Sequence, residues 1–193
     1  MLKDFKFTTD YVTSRVAGWA VDLAHLAGKP DVRGLEIGVF EGRSLQWWMQ
    51  NILTDSSSTL VAIDPFAAKF ADNLEKLKAD PSNYSRVNFR PETGQMGMAK
   101  MIARGESGTI DFCYIDGGKE PHNILQTSTM AWLLCKPGAI IIWDDYEWAH
   151  REDMGHTVDS DDPPKVGIDA FLMAHRGKYE EVRRGWQITI RKK

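Results

Sequence analysis

The chain reads as an α/β protein: a doubly wound, mostly parallel seven-stranded sheet with helices on both faces, ended by a C-terminal antiparallel hairpin. Three observations predict it. Short apolar runs alternate with helix-length amphipathic stretches from residue 33 to residue 175, and a β-α-β-α order of this kind gives a parallel sheet. The apolar runs show no polar/apolar alternation, as expected of strands covered on both faces. The tail "YEEVRRGWQITIRKK" does alternate: Trp186, Ile188 and Ile190 are separated by Gln187, Thr189 and Arg191, with Gly185 in the turn before them.

The first helix is predicted over residues 9–27, where Val12, Val16, Trp19, Ala20, Leu23 and Leu26 recur at three- and four-residue spacing; Gly28 and Pro30 stop it. "RGLEIGV" (33–39) is the first strand and "SLQWWMQNIL" (44–53) the helix after it. "TLVAID" (59–64) is the second strand, "KFADNLEKLKA" (69–79) a helix and "RVNF" (86–89) a short third strand. "MGMAKMIA" (96–103) is helical, "TIDFCYID" (109–116) the fourth strand and "HNILQTSTMAWLL" (122–134) a helix. "AIIIW" (139–143) is the fifth strand and "GIDAFLMAH" (167–175) the last helix. Residues 146–165, "YEWAHREDMGHTVDSDDPPK", are polar and turn-rich, and connections of that length are usually functional or disordered.

The 193 residues suit one domain with a sizeable core. Within it, residues 1–30 carry the N-terminal helix, 33–145 the ligand-binding core, 146–165 a loop at the site, and 166–193 the last helix and hairpin. A net charge of -3 leaves no basic footprint, which argues against a nucleic-acid partner. Cys113 and Cys135 sit inside apolar runs with no metal-like spacing, so reduced core residues are expected. No run reaches signal-peptide or membrane-spanning length, so no membrane partner and a cytoplasmic setting are expected.

In an open parallel sheet, ligands bind beyond the carboxyl ends of the strands. The first strand ends in "LEIGVFEGRS", with Glu36, Gly38, Gly42 and Ser44. Its glycines permit a tight turn and a close ligand. The spacing is not that of the nicotinamide fingerprint, and an ordinary strand-to-helix turn is the alternative. An acid such as Glu36 inside an apolar strand needs a partner or a ligand. The second strand ends in Asp64, which suits a ribose diol or, equally, a helix N-cap. The fourth strand ends in Asp116 and the fifth in Asp144 and Asp145. These two strands are neighbours in the predicted sheet, so three carboxylates converge. A hard divalent cation such as Mg²⁺ resolves their repulsion; loop capping or pairing with Arg or Lys is the alternative.

"LEIGVFEGRS", "LVAIDPF", "FCYIDGGK" and "IIIWDDY", in this order, resemble a class I S-adenosylmethionine-dependent methyltransferase, whose sheet is Rossmann-like. The subgroup resembled is the small Mg²⁺-dependent O-methyltransferases, of the macrocin/mycinamicin sugar type or the catechol/caffeoyl-coenzyme A type. The resemblance covers residues 33–192. It implies that Glu36, Gly38 and Gly42 line the methionine part of the cofactor, with Ser44 near its carboxylate. Asp64 would hold the ribose and Gln95 would lie by the adenine. Asp116 would serve cofactor and metal, with Asp144 and Asp145 as further metal ligands. Lys119, three residues after Asp116, corresponds to the base of catechol-type enzymes, where sugar-modifying relatives often have histidine. Conversely, catechol-type enzymes usually have an Asp-Asn pair where this chain has Asp144-Asp145. His122, His150 and His156 are alternative bases.

The implied reaction is metal-assisted O-methylation of a small-molecule hydroxyl, sugar or catechol-like. Mg²⁺ would lower the hydroxyl pKa, and Lys119 would take its proton if its own pKa is depressed near the metal. The 146–165 loop, with Trp148, His150 and His156, would shape the acceptor pocket. A second copy of the chain is a candidate partner for the N-terminal helix. Rival readings are a metal-dependent nucleotide-sugar transferase, a dehydrogenase and a non-catalytic cofactor-binding subunit on the same fold.

Overall fold

Apolar runs of the predicted kind do form the parallel part of a sheet. In the computed structural model, which describes residues 2–148 and 163–193, they are β1 (Arg33–Ile37), β2 (Thr59–Ile63), β3 (Val87–Arg90), β4 (Ile110–Ile115) and β5 (Cys135–Trp143). All but one residue of each of β1, β2 and β4 is buried, as is the stretch Ala139–Trp143 of β5. β1 pairs with β2, β2 with β3, and β4 with β5, all parallel. The hairpin strands are β6 (Tyr179–Arg184) and β7 (Ile188–Lys192). β7 runs antiparallel to both β5 and β6, and the sheet order is β3-β2-β1-β4-β5-β7-β6. This is the expected seven-stranded doubly wound architecture.

Seven α-helices are present among the described residues: α1 (Val16–Asp22), α2 (Arg43–Asn51), α3 (Ala67–Lys78), α4 (Pro81–Tyr84), α5 (Gly94–Ala103), α6 (Pro121–Leu134) and α7 (Pro164–Ala174). The first is far shorter than the periodicity over 9–27 predicts. Upstream, the Asp10 carboxylate accepts the Val12 and Thr13 N–H groups at 3.1 and 2.9 Å, and this local turn competes with helix. Downstream, Leu23 and Leu26 stay buried, but in turns that run to Gly28 at φ +70°. The apolar spacing therefore marked the buried positions at Trp19, Leu23 and Leu26, while Val12 and Val16 are half-buried and Ala20 is exposed, and it gave the helix length wrongly. α4 was not predicted; Asp80 caps it and Pro81 starts it. β5 begins four residues earlier than expected, at Cys135, although Pro137 and Gly138 in its first half are exposed.

Two compact units divide the chain, Met1–Gly97 and Met98–Lys193. The first is centred on aromatic contacts. Trp19 of α1 packs against Trp47 and Trp48 of α2, at ring centroid distances of 5.4 and 4.3 Å. Phe70 of α3 meets Phe5 and Phe89 edge-on. Such pairs contribute roughly 0.5–1.5 kcal/mol each beyond their buried area. In the second unit α6 packs on α7, β4 and β5. Trp143 of β5 lies against Phe171 and donates its indole N–H to Ser128 Oγ at 2.8 Å. Cys113 and Cys135 are both buried, as their apolar setting predicts. Among the described residues, no helix is long and apolar enough to cross a membrane.

Candidate active site

In the first unit the chain leaves β1 through three left-handed residues, Gly38 (φ +90°), Phe40 (φ +50°) and Gly42 (φ +80°). At Gly42 a Cβ would also lie 2.3 Å from the Phe70 ring, so a side chain is excluded twice over. The turn aims the Val39 and Phe40 N–H groups at one oxygen of Asp64, at 2.7 and 2.8 Å. The Phe66 N–H donates to the other oxygen at 2.6 Å. Successive amides in such a bend form a nest for an anion, and here Asp64 supplies it.

Asp64 is 5% exposed. Three of the roughly four acceptor positions of its carboxylate are thus engaged by backbone. The N-cap alternative for Asp64 is corrected: Phe66 occupies that position of α3, without a side-chain cap. Glu36, on β1, is fully buried and accepts a hydrogen bond from the Ser44 hydroxyl in the first turn of α2. Gln95 lies half-buried in the first turn of α5.

The segment before α1 ties down the same loop, which the sequence did not suggest. Thr8 donates its N–H and hydroxyl to Glu41 at 2.8 and 2.6 Å, and Arg43 pairs with Asp10 at 2.8 Å. The Asn73 amide of α3 bridges the carbonyls of Lys6 and Glu41 at 2.7 and 2.8 Å.

In the second unit Asp116 follows β4 and the Asp144-Asp145 pair follows β5. Neighbouring side chains of a strand point to opposite faces, so two adjacent residues serving one site need a backbone reversal. Asp145 provides it, with φ at +54°. Asp144 still belongs to the ladder, its N–H donating to Ile115 O at 3.0 Å. One carboxylate oxygen from each of Asp116, Asp144 and Asp145 lies within 4.8 Å of the others. Asp144 and Asp145 are buried and Asp116 is half-buried.

Lys119 reaches back over Gly117 and Gly118 to this cluster. Its Nζ donates to Asp116 Oδ1 at 2.6 Å and to Asp145 Oδ2. The Trp148 ring lies 5.3 Å from the same Nζ. Burial works to lower the Lys119 pKa, but the two carboxylates outweigh it and hold the ammonium above the ordinary lysine range. In this arrangement Lys119 is a proton-bearing cation.

One residue that the sequence did not single out joins the cluster, and a second, Tyr146, lies next to the cluster in the chain. Gln187, from the turn into β7, donates to Asp144 Oδ1 at 2.7 Å. Tyr146 is buried, with Lys165 and Arg184 donating to its hydroxyl, which donates to Asp169 at 2.8 Å. The alternation of the tail would leave Gln187 and Thr189 facing solvent. Both are buried, because β7 is an interior strand between β5 and β6. A polar residue opposite an acid-bearing strand end was the available signal. Of the alternative bases, His122 is exposed at the start of α6 and is not a member of the cluster. His150 and His156 lie outside the described residues.

Three convergent carboxylate oxygens match the hard-ligand preference of a divalent cation such as Mg²⁺. They also match a lysine, which is what two of them hold.

Residues 35–146 match the family model described as "Methyltransferase domain". The chain belongs to that family. The matched segment begins inside β1 and ends on Tyr146, so it contains Glu36, Gly38, Gly42, Ser44, Asp64 and Gln95 of the first set and Asp116, Lys119, Asp144 and Asp145 of the second. A curated relative, the uncharacterized protein R132 of Acanthamoeba polyphaga mimivirus, is 27% identical over 136 residues, 65% of this chain. The match spans 57% of that protein's length.

Among solved structures, the O-methyltransferase TomG of Streptomyces achromogenes, in complex with SAM, shares the fold. Its TM-score is 0.72 at 19% identity, over 98% of this chain and 85% of that one. The MycE methyltransferase of the mycinamycin biosynthetic pathway, in complex with Mg and SAH, matches with a TM-score of 0.67 at 15% identity. That match covers 95% of this chain and 51% of MycE.

Proposed function

We propose that this methyltransferase moves the methyl group of S-adenosylmethionine to a hydroxyl oxygen of a small molecule, sugar or catechol-like, with a divalent cation held by Asp116, Asp144 and Asp145. The observation that carries the reading is the meeting of these three carboxylates within 4.8 Å, at the ends of two neighbouring parallel strands. The family supports methyl transfer. The SAM complex of TomG and the Mg and SAH complex of MycE support the donor and the ion.

The chain's own residues divide the work. Gly38, Gly42 and the amides of Val39 and Phe40 form the turn that would receive the cofactor, and Asp64 holds that turn in shape. Glu36 and Ser44 stiffen its base through their mutual hydrogen bond. Asp116, Asp144 and Asp145 would hold the ion, which when bound lowers the pKa of an acceptor hydroxyl. Lys119 Nζ is the proton-handling atom of the cluster. As an ammonium it is held by Asp116 and Asp145; as an amine it can take the hydroxyl proton. Trp148 sets an apolar ring beside Nζ.

The test is transfer of labelled methyl from S-adenosylmethionine to a panel of catechols and glycosides, with and without EDTA. Turnover that EDTA abolishes and Mg²⁺ restores is expected. Turnover indifferent to EDTA would remove the ion from the reaction, and no transfer to any hydroxyl would remove the proposed acceptor class.

A further inference from the structure

We infer that Gln187 is a positioning residue for the acid cluster: its side-chain amide fixes the Asp144 carboxylate for the divalent cation. The inference rests on the proposed function above and adds a residue from the C-terminal hairpin to it.

Gln187 is 1% exposed, and its Nε2 donates to Asp144 Oδ1 at 2.7 Å. Burying an amide is costly unless it is hydrogen-bonded, so a long polar side chain at such a place needs a purpose. The backbone explains why the two meet. In the antiparallel ladder Trp143 pairs with Ile188. The next position along puts Asp144 opposite Gln187; past it the register shifts by one residue at the left-handed Asp145, and Tyr146 N–H donates to Trp186 O at 2.9 Å. Asp144 is therefore held by β4 through its N–H and by the hairpin through its side chain.

The chemistry of the donor matters too. Lys119 brings positive charge to Asp116 and Asp145. Gln187 brings a neutral N–H to Asp144. It orients that carboxylate without cancelling its charge, which is what a ligand to a cation requires. Partners that orient a metal-binding carboxylate commonly change metal affinity by about 10–100-fold when removed. Gln187 itself has its Oε1 facing Arg183 Nη2 at 3.5 Å, and the same Nη2 donates to Thr189 Oγ1 at 3.3 Å. The amide is thus turned with its N–H₂ toward Asp144.

The experiment is Mn²⁺ binding, followed by its EPR signal, to the full chain as wild type, Gln187→Met and Asp144→Ala, together with cofactor binding by calorimetry. Methionine keeps the length and the packing but cannot donate. Wild type should bind Mn²⁺ and Asp144→Ala should not. Gln187→Met should bind about 10-fold or more weakly, with cofactor affinity unchanged. A merely structural Gln187 would lower the melting temperature and leave Mn²⁺ affinity alone. Affinity within twofold of wild type in Gln187→Met, with Asp144→Ala inactive in binding, overturns the inference and leaves the proposed function standing. Absence of Mn²⁺ binding by wild type overturns both. Should Gln187→Met not fold, Gln187→Asn, one methylene short of Asp144, is read the same way.

Discussion

Replacing Lys119 by methionine removes a cation that Asp116 and Asp145 share and leaves the volume of its stem. The magnitude follows from exposure. Asp116 is 34% exposed on its side chain and Lys119 36%, so that pair is about a third in solvent and contributes about 0.5–1 kcal/mol. Asp145 is 6% exposed, and taking a cation away from a buried charge costs roughly 3–5 kcal/mol. Lys119's own exposure moves this second figure to its low end. The sum is a loss of about 3.5–4 kcal/mol, or about 11 °C in melting temperature for a chain of this size.

The assay is thermal and urea denaturation of both proteins, in EDTA and in millimolar Mg²⁺. In EDTA the variant should be the less stable by that amount. Mg²⁺ should raise the variant more than the wild type, since no ammonium competes for the carboxylates. The gain approaches about 2.7 kcal/mol at a hundredfold excess over Kd. The sign with pH is also fixed. The Lys119 pKa is raised above its ordinary 10.5. Its contribution is therefore complete below that value and lost only as pH rises past it. The gap in EDTA should hold constant from about pH 7 to 9. Equal stability in EDTA, or an equal response to Mg²⁺, refutes the reasoning.

Asp64→Asn turns one carboxylate oxygen into a donor facing backbone donors; a loss of about 2 kcal/mol and weaker cofactor binding are expected by denaturation and calorimetry, and an unchanged variant would mean the loop is held otherwise. Asp145→Gly should be about 1 kcal/mol more stable than Asp145→Ala, since both lose the carboxylate and only glycine relaxes at φ +54°; urea midpoints in the opposite order would contradict the left-handed backbone. Gly167→Ala should cost about 1–3 kcal/mol, because its Cβ would stand 2.2 Å from the Pro121 carbonyl oxygen where α7 meets α6; a wild-type melting temperature would rule out that approach.

The strand count, the order of elements and the adjacency of β4 and β5 were all legible in the sequence, because both-face burial writes itself as unbroken apolar runs. So was the convergence of Asp116, Asp144 and Asp145, since acids at the carboxyl ends of neighbouring parallel strands have nowhere else to go. Other features depended on contacts distant in sequence. The shortness of α1 depends on what Asp10 prefers to accept. Asp64 had two readings, and its engagement by Val39 and Phe40 requires a left-handed phenylalanine that no propensity foretells. Gln187 was hidden by its own periodicity. A period of two marks one face as polar, but whether that face is wet depends on which hairpin strand lies inside, here β7.

The two assignments made for the second unit, Lys119 as base and the aspartates as ion ligands, are not independent. Asp116 and Asp145 hold Lys119 protonated, and a protonated lysine accepts nothing. The carboxylates release it only when their charge is met from elsewhere, and the residues proposed to hold the ion are these same carboxylates. A base at Lys119 therefore requires an occupied cluster, and an empty cluster forbids it. The pH–rate profile of methyl transfer in saturating Mg²⁺ should then show an essential base titrating below the ordinary lysine value of 10.5. Lys119→Met should erase that limb and cut kcat without weakening the apparent affinity for Mg²⁺. If the limb survives in Lys119→Met, the proton leaves by another route, and Lys119 is only the counter-charge its hydrogen bonds describe.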